Sequence, residues 1–174
     1  GSANTIGGVA VGGLPDGIVD ADTLASGTSF ISYAIIGDQK SQNTNGGTFT
    51  AAAWRTRDLN TEWHDPDGIV SISSNKFTLQ AGNYLIKFAA NVYEVNGHQA
   101  RIYDVTNTTA INPPSHTSYD QTSSGYHDGK AFGVCRVTPS GATEYRLEHY
   151  CNSTTSSNGF GIAANIGVEV YAII

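Results

Sequence analysis

The chain has 174 residues, nine basic and fifteen acidic side chains, and a formal net charge of −6. That length suits one ordinary domain with a short appendage, and the acidic balance disfavours a partner held by its phosphates, so no nucleic acid is expected. Charged residues make up only 14% against 39% hydrophobic, the reverse of a disordered chain. Polarity comes from Ser, Thr, Asn and 20 glycines, with no Met. The usual helix-surface residues Glu, Lys, Arg and Gln are sparse, which points to an all-β protein rich in turns. No apolar run approaches the ~20 residues of a membrane span, so no membrane insertion is expected. No basic-then-apolar leader opens the chain, and Gly1-Ser2 reads as a cloning scar.

Residues 1–30 stand apart from a head domain over 31–174. The run Gly7-Gly8-Val9-Ala10-Val11-Gly12-Gly13-Leu14-Pro15-Asp16-Gly17 has no aromatic residue and no lasting period, and its glycines dilute any core of its own. Two readings stay open: a flexible linker, or a short stalk ordered by neighbouring chains. Ile6, Val9, Val11, Leu14, Ile18 and Val19 are more apolar than a solvated linker needs. Residues 20–25 allow one helical turn at most.

From Ser29 onward a period of two dominates, the mark of half-buried strands. Short strands are predicted over 32–36, 48–58, 69–72 and 76–79. In 83–95, Tyr84, Ile86, Phe88, Ala90 and Val92 share a face opposite Lys87 and Asn91. A strand over 99–105 follows, then a gap at 112–130 with two prolines and no strand pattern. Loops of that length are usually functional or disordered. After 131–137 comes 144–151, where Tyr145, Leu147 and Cys151 oppose Glu144, Arg146 and Glu148. In 161–174, Ile162, Ala164, Ile166, Val168, Val170 and Ala172 oppose Asn165, Glu169 and Tyr171. Tyr84, Ile86, Phe88, Leu147, Ile166 and Val168 are therefore expected to point into the core. Turns are expected at Asp65-Pro66-Asp67-Gly68, Ala81-Gly82-Asn83, Pro139-Ser140-Gly141 and Asn96-Gly97, the last being the preferred type I′ hairpin pair. Many short strands at this spacing indicate a sandwich or barrel.

The block Leu59 to Phe88 resembles the signature of the globular head of complement's first component, within the tumour-necrosis-factor-like jelly rolls. Asn60, Gly68, Lys76, Phe77, Thr78, Gly82, Tyr84 and Phe88 stand at the matching places, and Phe160-Gly161 precedes a last apolar strand. Tyr-Ala-Ile-Ile recurs at 33–36 and 171–174, which suits a fold whose first and last strands lie side by side. The resemblance covers roughly residues 30–174. It implies an antiparallel two-sheet jelly-roll sandwich and a homotrimer, with Tyr33, Tyr93 and Tyr171 at or near its axis. Leu14-Pro15-Asp16-Gly17-Ile18-Val19, followed by Asp22-Thr23-Leu24-Ala25, resembles segments of bacteriophage tail fibre and tail spike proteins. In those a fibrous trimer ends in a compact head that touches the host. The implied localisation is the virion, at the fibre tip beyond an upstream shaft, after assembly in the host cytoplasm.

Within 112–130, His116, Tyr119, Asp120, Tyr126, His127 and Asp128 form the leading binding candidate. Tyrosine supplies a flat face with a polar tip, and Asp and His bind hydroxyls, a combination suited to a sugar or a protein epitope. The bland alternative is a solvated loop. Trp63 and His64, in the loop before Asp65, form a second exposed candidate. Trp54 reads as a packed or interface residue on a strand. Asp65-x-Asp67-Gly68 lacks the downstream Glu of a calcium loop and reads as a turn. His116, His127 and Asp128 match no zinc spacing, so neither metal nor cofactor is expected.

No nucleophile elbow, zincin motif or P-loop is present. Glu62 and Asp65 as a glycosidase pair would be a chance arrangement, so no enzyme is expected. A hairpin pairing of Cys135's strand with Cys151's strand sets the two thiols out of register, which predicts free thiols unless a large bulge intervenes. Free thiols suit a reducing cytoplasm. The preferred reading is a trimeric fibre head binding a host glycan or protein receptor. Its rivals are a purely structural trimerisation cap and a bacterial surface adhesion module.

Overall fold

The structure is a computed structural model that describes residues 32–120 and 128–174. Contacts divide the chain into residues 1–31 and 32–174, and all the described residues belong to the second unit. The linker or stalk reading of 1–30 lies outside them, as do Tyr126 and His127.

Among the described residues the regular elements are all strands: β1 Ile35–Lys40, β2 Arg55–Thr56, β3 Thr61–His64, β4 Val70–Ser73, β5 Lys76–Leu79, β6 Tyr84–Tyr93, β7 Asn96–Asp104, β8 Thr109–Ala110, β9 Ser118–Asp120, β10 Asp128–Val137, β11 Thr143–Cys151 and β12 Glu169–Ile173. No helix among them is long and apolar enough to cross a membrane. They build two antiparallel sheets. The first runs β10-β6-β12-β1-β3; the second runs β4-β5-β11-β7-β8, with β2 on β11 and β9 on β7.

The pairs nest. The first strand pairs with the last, β5 with β11, β6 with β10, and β7 with β8 and β9. Inward residues of both sheets meet in one core. Ile86, Phe88, Ala131, Cys135 and Val137 come from the first, and Phe77, Leu79, Ile102, Tyr145 and Leu147 from the second. A smaller cluster of Phe49, Val92, Val95 and Cys151 lies beside it. The alternation read from 83–95 and 144–151 holds along β6 and β11, with Tyr84 half-buried at its strand's start.

The register also orders the two ends of the sandwich. Backbone bonds join Ile36 to Ile174, so both described termini share one end, termed basal. Ile173 faces Ala89 on β6, which puts Tyr84 towards that end and Tyr93 towards the other. Asp128 faces Tyr93, and Asp120 faces Asn96. The two residues flanking 121–127 therefore stand at the distal end.

Four expectations need correction. The last strand begins at Glu169, not near 161, and Ile166 and Val168 are 90% and 61% exposed rather than in the core. The cause is Glu169, which points inward and accepts backbone N–H bonds from Asn43, Ala164 and Asn165. Those bonds bend 161–168 into a loop, where Asn165 takes a φ of 63°. Next, no type I′ turn forms at Asn96-Gly97. The positive φ values fall on Glu94 and Asn96, and Gly97 is already inside β7. The turn there carries the chain from one sheet to the other. Third, Cys135 and Cys151 lie on strands of different sheets, not on a hairpin. Both thiols are free and buried, as expected, and burial pushes each up to about 11. Fourth, 48–58 contributes only the isolated bridge of Phe49 to Thr155 and the short β2.

Phe88 is the test of the core. It is 1% exposed, and its ring lies against Gly133 on β10, where an added Cβ would come within 2.2 Å of Phe88 Cζ. Phe88→Ala should lower unfolding free energy by ~3–5 kcal/mol, the usual range for a buried Phe. Urea titration with an unchanged m-value checks this, and a loss below ~1 kcal/mol would mean the side chain is not core.

Candidate functional site

Of the residues singled out by sequence, those described are dispersed by the fold. Trp63 and His64 lie on β3, an edge strand, rather than in a loop. The Trp63 ring covers Gly37, where a Cβ would come within 2.6 Å of it, and its Nε1 donates to Gln39 Oε1 at 2.8 Å. His64 stacks on the exposed Tyr33 ring, with centroids 4.6 Å apart. His64 faces Ile35 at the start of β1, so this pair belongs to the basal end. Asp65 closes the following turn by accepting from the N–H groups of Ile69 and Val70.

The long loop contains β9. Neighbours on a strand point to opposite faces, and this separates Tyr119 from Asp120. Tyr119 is 67% exposed on the outer side of the second sheet, opposite Gly97. Asp120 is buried and accepts from Glu94 N at 2.6 Å, closing the β6–β7 turn. His116 is exposed, with Nδ1 2.8 Å from Phe132 O. Asp128 opens β10 opposite Tyr93.

Of the expected axis residues, Tyr33 is exposed and Tyr93 half-buried, whereas Tyr171 is inside the single chain. The Tyr171 ring lies on Gly161 and its hydroxyl donates to Thr44 O at 2.7 Å. The loops that hold it leave it unavailable to a neighbouring chain.

Beneath the distal end runs a column of buried polar and aromatic groups. Arg57 donates to the carbonyls of Asn91, Phe160 and Tyr171 at 2.8–3.1 Å. Its guanidinium lies 4.2 Å from the Phe160 ring centroid, and Phe160 stacks on Phe49 at 4.3 Å. Phe49 meets His149 at 5.1 Å, and His149 Nε2 lies 3.0 Å from His98 Nδ1. Burial, outweighing the nearby Asp38 and Asp58, lowers Arg57 to about 10. Burial, with the charges of His116 and Arg57, lowers His98 to about 4, and His149 is also held well below its ordinary value. These groups support the end rather than face solvent.

The outer face of the second sheet carries a constellation that sequence reading missed. Register sets Arg101 opposite Glu148, Tyr103 opposite Arg146, and Gln99 opposite Tyr150. Arg101 Nε donates to Glu148 Oε2 at 2.8 Å, and Arg146 Nε donates to Glu148 Oε1 at 2.7 Å. The Arg101 guanidinium lies 3.9 Å from the Trp54 ring centroid and 5.4 Å from that of Tyr103, and Arg146 lies 4.7 Å from Tyr103. Trp54 also contacts Tyr150 at 5.7 Å. Trp54 is thus packed, as read from the sequence, but it precedes β2 rather than lying on a strand, and its ring lies against Arg101 and Tyr150. The signal was the alternation Arg101-x-Tyr103 and Arg146-x-Glu148-x-Tyr150, visible only once the two strands are known to be neighbours.

A cleft of about 320 Å³ at the basal end is bordered by Asp104, Arg136 and Tyr145. Its carboxylate is already used, since Asp104 accepts from Asn107 N and Nδ2. Among the described residues no group of three or more His, Cys, Asp or Glu side chains is placed to hold a metal. No protein-family model matches the chain, and no curated protein sequence matches it.

The buried histidines predict acid sensitivity. An unfolded histidine takes a proton near pH 6.5, whereas folded His98 resists until about 4. Between these values the unfolded state binds more protons, so stability falls as pH falls. The slope should approach ~1.4 kcal/mol per pH unit for each titrating histidine. Calorimetry of the parent and His98→Gln from pH 7 to 4 should show a flatter profile for the variant; parallel profiles would exclude His98 as a cause.

Proposed function

We propose that the chain is the homotrimeric jelly-roll head of a phage tail fibre, binding a glycan or protein receptor on the host cell at its distal end. The nesting of strand pairs, first with last and inward to β7 with β8 and β9, supports the jelly-roll reading. A jelly roll is two Greek keys wound on two sheets. The fold alone carries no function.

The observation that carries the assembly is the outer face of the first sheet. Phe132, Ala89, Ile173 and Gly37 form one row across four strands by register. Phe132 is 50% exposed and Ile173 46%, with Leu85 at 47% on the same face. Lys87, Lys130 and Arg136 stand among them on that face, and exposed apolar side chains gathered between such polar groups support an association face. The interface residues proposed are therefore Leu85, Phe132 and Ile173, with Tyr33 at their basal edge and without Tyr171. Three copies would present three distal ends to one surface, gaining by avidity where receptor spacing allows.

Light scattering of the purified head should give a trimer at micromolar concentration, and Phe132→Glu should give a folded monomer; a monomeric parent would overturn the assembly. Truncating Tyr119 to Ala should weaken host-cell binding by ~1–3 kcal/mol, the range of a single aromatic anchor, with the melting temperature unchanged. A head lacking 121–127 should lose most adsorption. Full adsorption by both variants would favour the purely structural cap.

A further inference from the structure

We infer that the outer face of the second sheet binds a carboxylate-bearing saccharide, paired by Arg101 and Arg146, which Trp54 and Tyr103 support, and packed beside them on Tyr150. The inference rests on the receptor-binding reading and names the chemistry of the receptor. Two guanidinium groups share one carboxylate, Glu148, which is buried at the centre of the cluster. That leaves one positive charge in surplus on a chain whose net charge is −6. Each arginine turns its Nε and Nη2 towards Glu148, so each Nη1 is left for another acceptor. Among the described residues neither Nη1 has a hydrogen-bond partner.

The geometry favours recognition over mere packing because the donors are already fixed. Glu148 holds both guanidinium planes, and the rings of Trp54 and Tyr103 support them. A fixed guanidinium loses little further entropy when it meets a second carboxylate, and each Nη1 offers it a charge-assisted donor. The half-buried ring of Tyr150, over which no guanidinium lies among the described residues, adds flat apolar area with a polar tip.

A pyranose carrying a carboxylate supplies both complements, a rigid ring for the aromatic area and an anion for the forks. A neutral sugar leaves the surplus charge unanswered. An acidic peptide answers the charge but offers a flexible chain to a rigid surface. The face lies on the opposite side of the sandwich from the apolar row of the first sheet, and so stays open in the proposed assembly. Tyr119, outward on β9 beside β7, extends it towards the distal end.

The test is titration of the purified head with oligogalacturonate, oligoglucuronate and sialyllactose. The controls are lactose, a neutral oligosaccharide of matched length, and polyglutamate. At least one acidic saccharide should bind ten-fold or more tightly than the neutral controls and polyglutamate, and weaken as salt screens the charges. Arg146→Gln and Tyr103→Ala should each lose ten-fold or more, with melting temperature as the folding check. Amide shifts mapped on the parent protein should centre on β7 and β11, and this readout needs no variant to fold. Equal binding of neutral sugar or polyglutamate, parental affinity in a folded variant, or shifts centred elsewhere would overturn the inference. Host-cell adsorption without acidic-saccharide binding overturns this inference alone. Saccharide binding with no adsorption to any cell leaves the site standing and overturns the receptor reading.

Discussion

A single buried cation organises the distal end. Arg57 follows β2, which pairs with the second sheet, and precedes β3, which pairs with the first. Its own N–H bonds to Leu147 O, while Asn60, three residues on, bonds to Gly37 O. The side chain of this crossing residue is fully buried, where an uncompensated charge would be costly. The compensation is distributed over carbonyls from β6, from β12 and from the loop at Phe160. Three separate chain segments are thereby drawn to one point. The Phe160 and Phe49 rings that cover the guanidinium carry the order onward to His149 and His98. The loop over 152–168 has few strand bonds of its own and takes its shape from this contact and from Glu169. Glu169 acts as a second anchor, and backbone donors hold its carboxyl below the usual carboxylate range.

With the interior settled, the two outer faces diverge. Alternation along β6 and β10 leaves Leu85, Phe132 and Val134 outside, and β12 adds Ile173. Alternation along β7 and β11 leaves Arg101, Tyr103, Arg146 and Tyr150 on the outer face, where they bury Glu148 among them. The same period of two thus leaves exposed apolar side chains among lysines and an arginine on one sheet, and a charged aromatic face on the other. Neither sheet's strands read as doubly buried runs, because only one side of each meets the core.

Much of this was legible in the sequence where the rule is local. The inward positions of 83–95 and 144–151, the strand at 76–79 and the turn at Asp65-Pro66-Asp67-Gly68 depend on period and turn chemistry alone. The resemblance carried the side-by-side first and last strands. Long-range bonding was not legible. In 161–168 the alternation is perfect, yet Glu169 draws the backbone away from the sheet through bonds to Asn43, Ala164 and Asn165. Asn96-Gly97 has the composition of a hairpin turn, but the chain there changes sheets, and Asp120 Oδ2 closes a turn one step earlier at Glu94 N. The cysteine strands are adjacent in sequence and were paired for that reason, whereas nested pairing places them in opposite sheets.

The same distinction explains why Tyr119 and Asp120 do not converge. A cluster of His, Tyr and Asp along one loop suggests convergence, but a strand within that loop sends consecutive side chains to opposite sides. Tyr119 and Asp120 share a peptide bond and cannot share a ligand from one face. Convergence in a sheet protein instead runs across strands, through residues far apart in the chain. Arg101 and Glu148 are such a pair, as are Tyr103 and Arg146. Trp54 joins them by packing its ring against Arg101 and Tyr150. A side-chain cluster on this fold is therefore written in cross-strand rows, and its composition becomes readable only when the register is known.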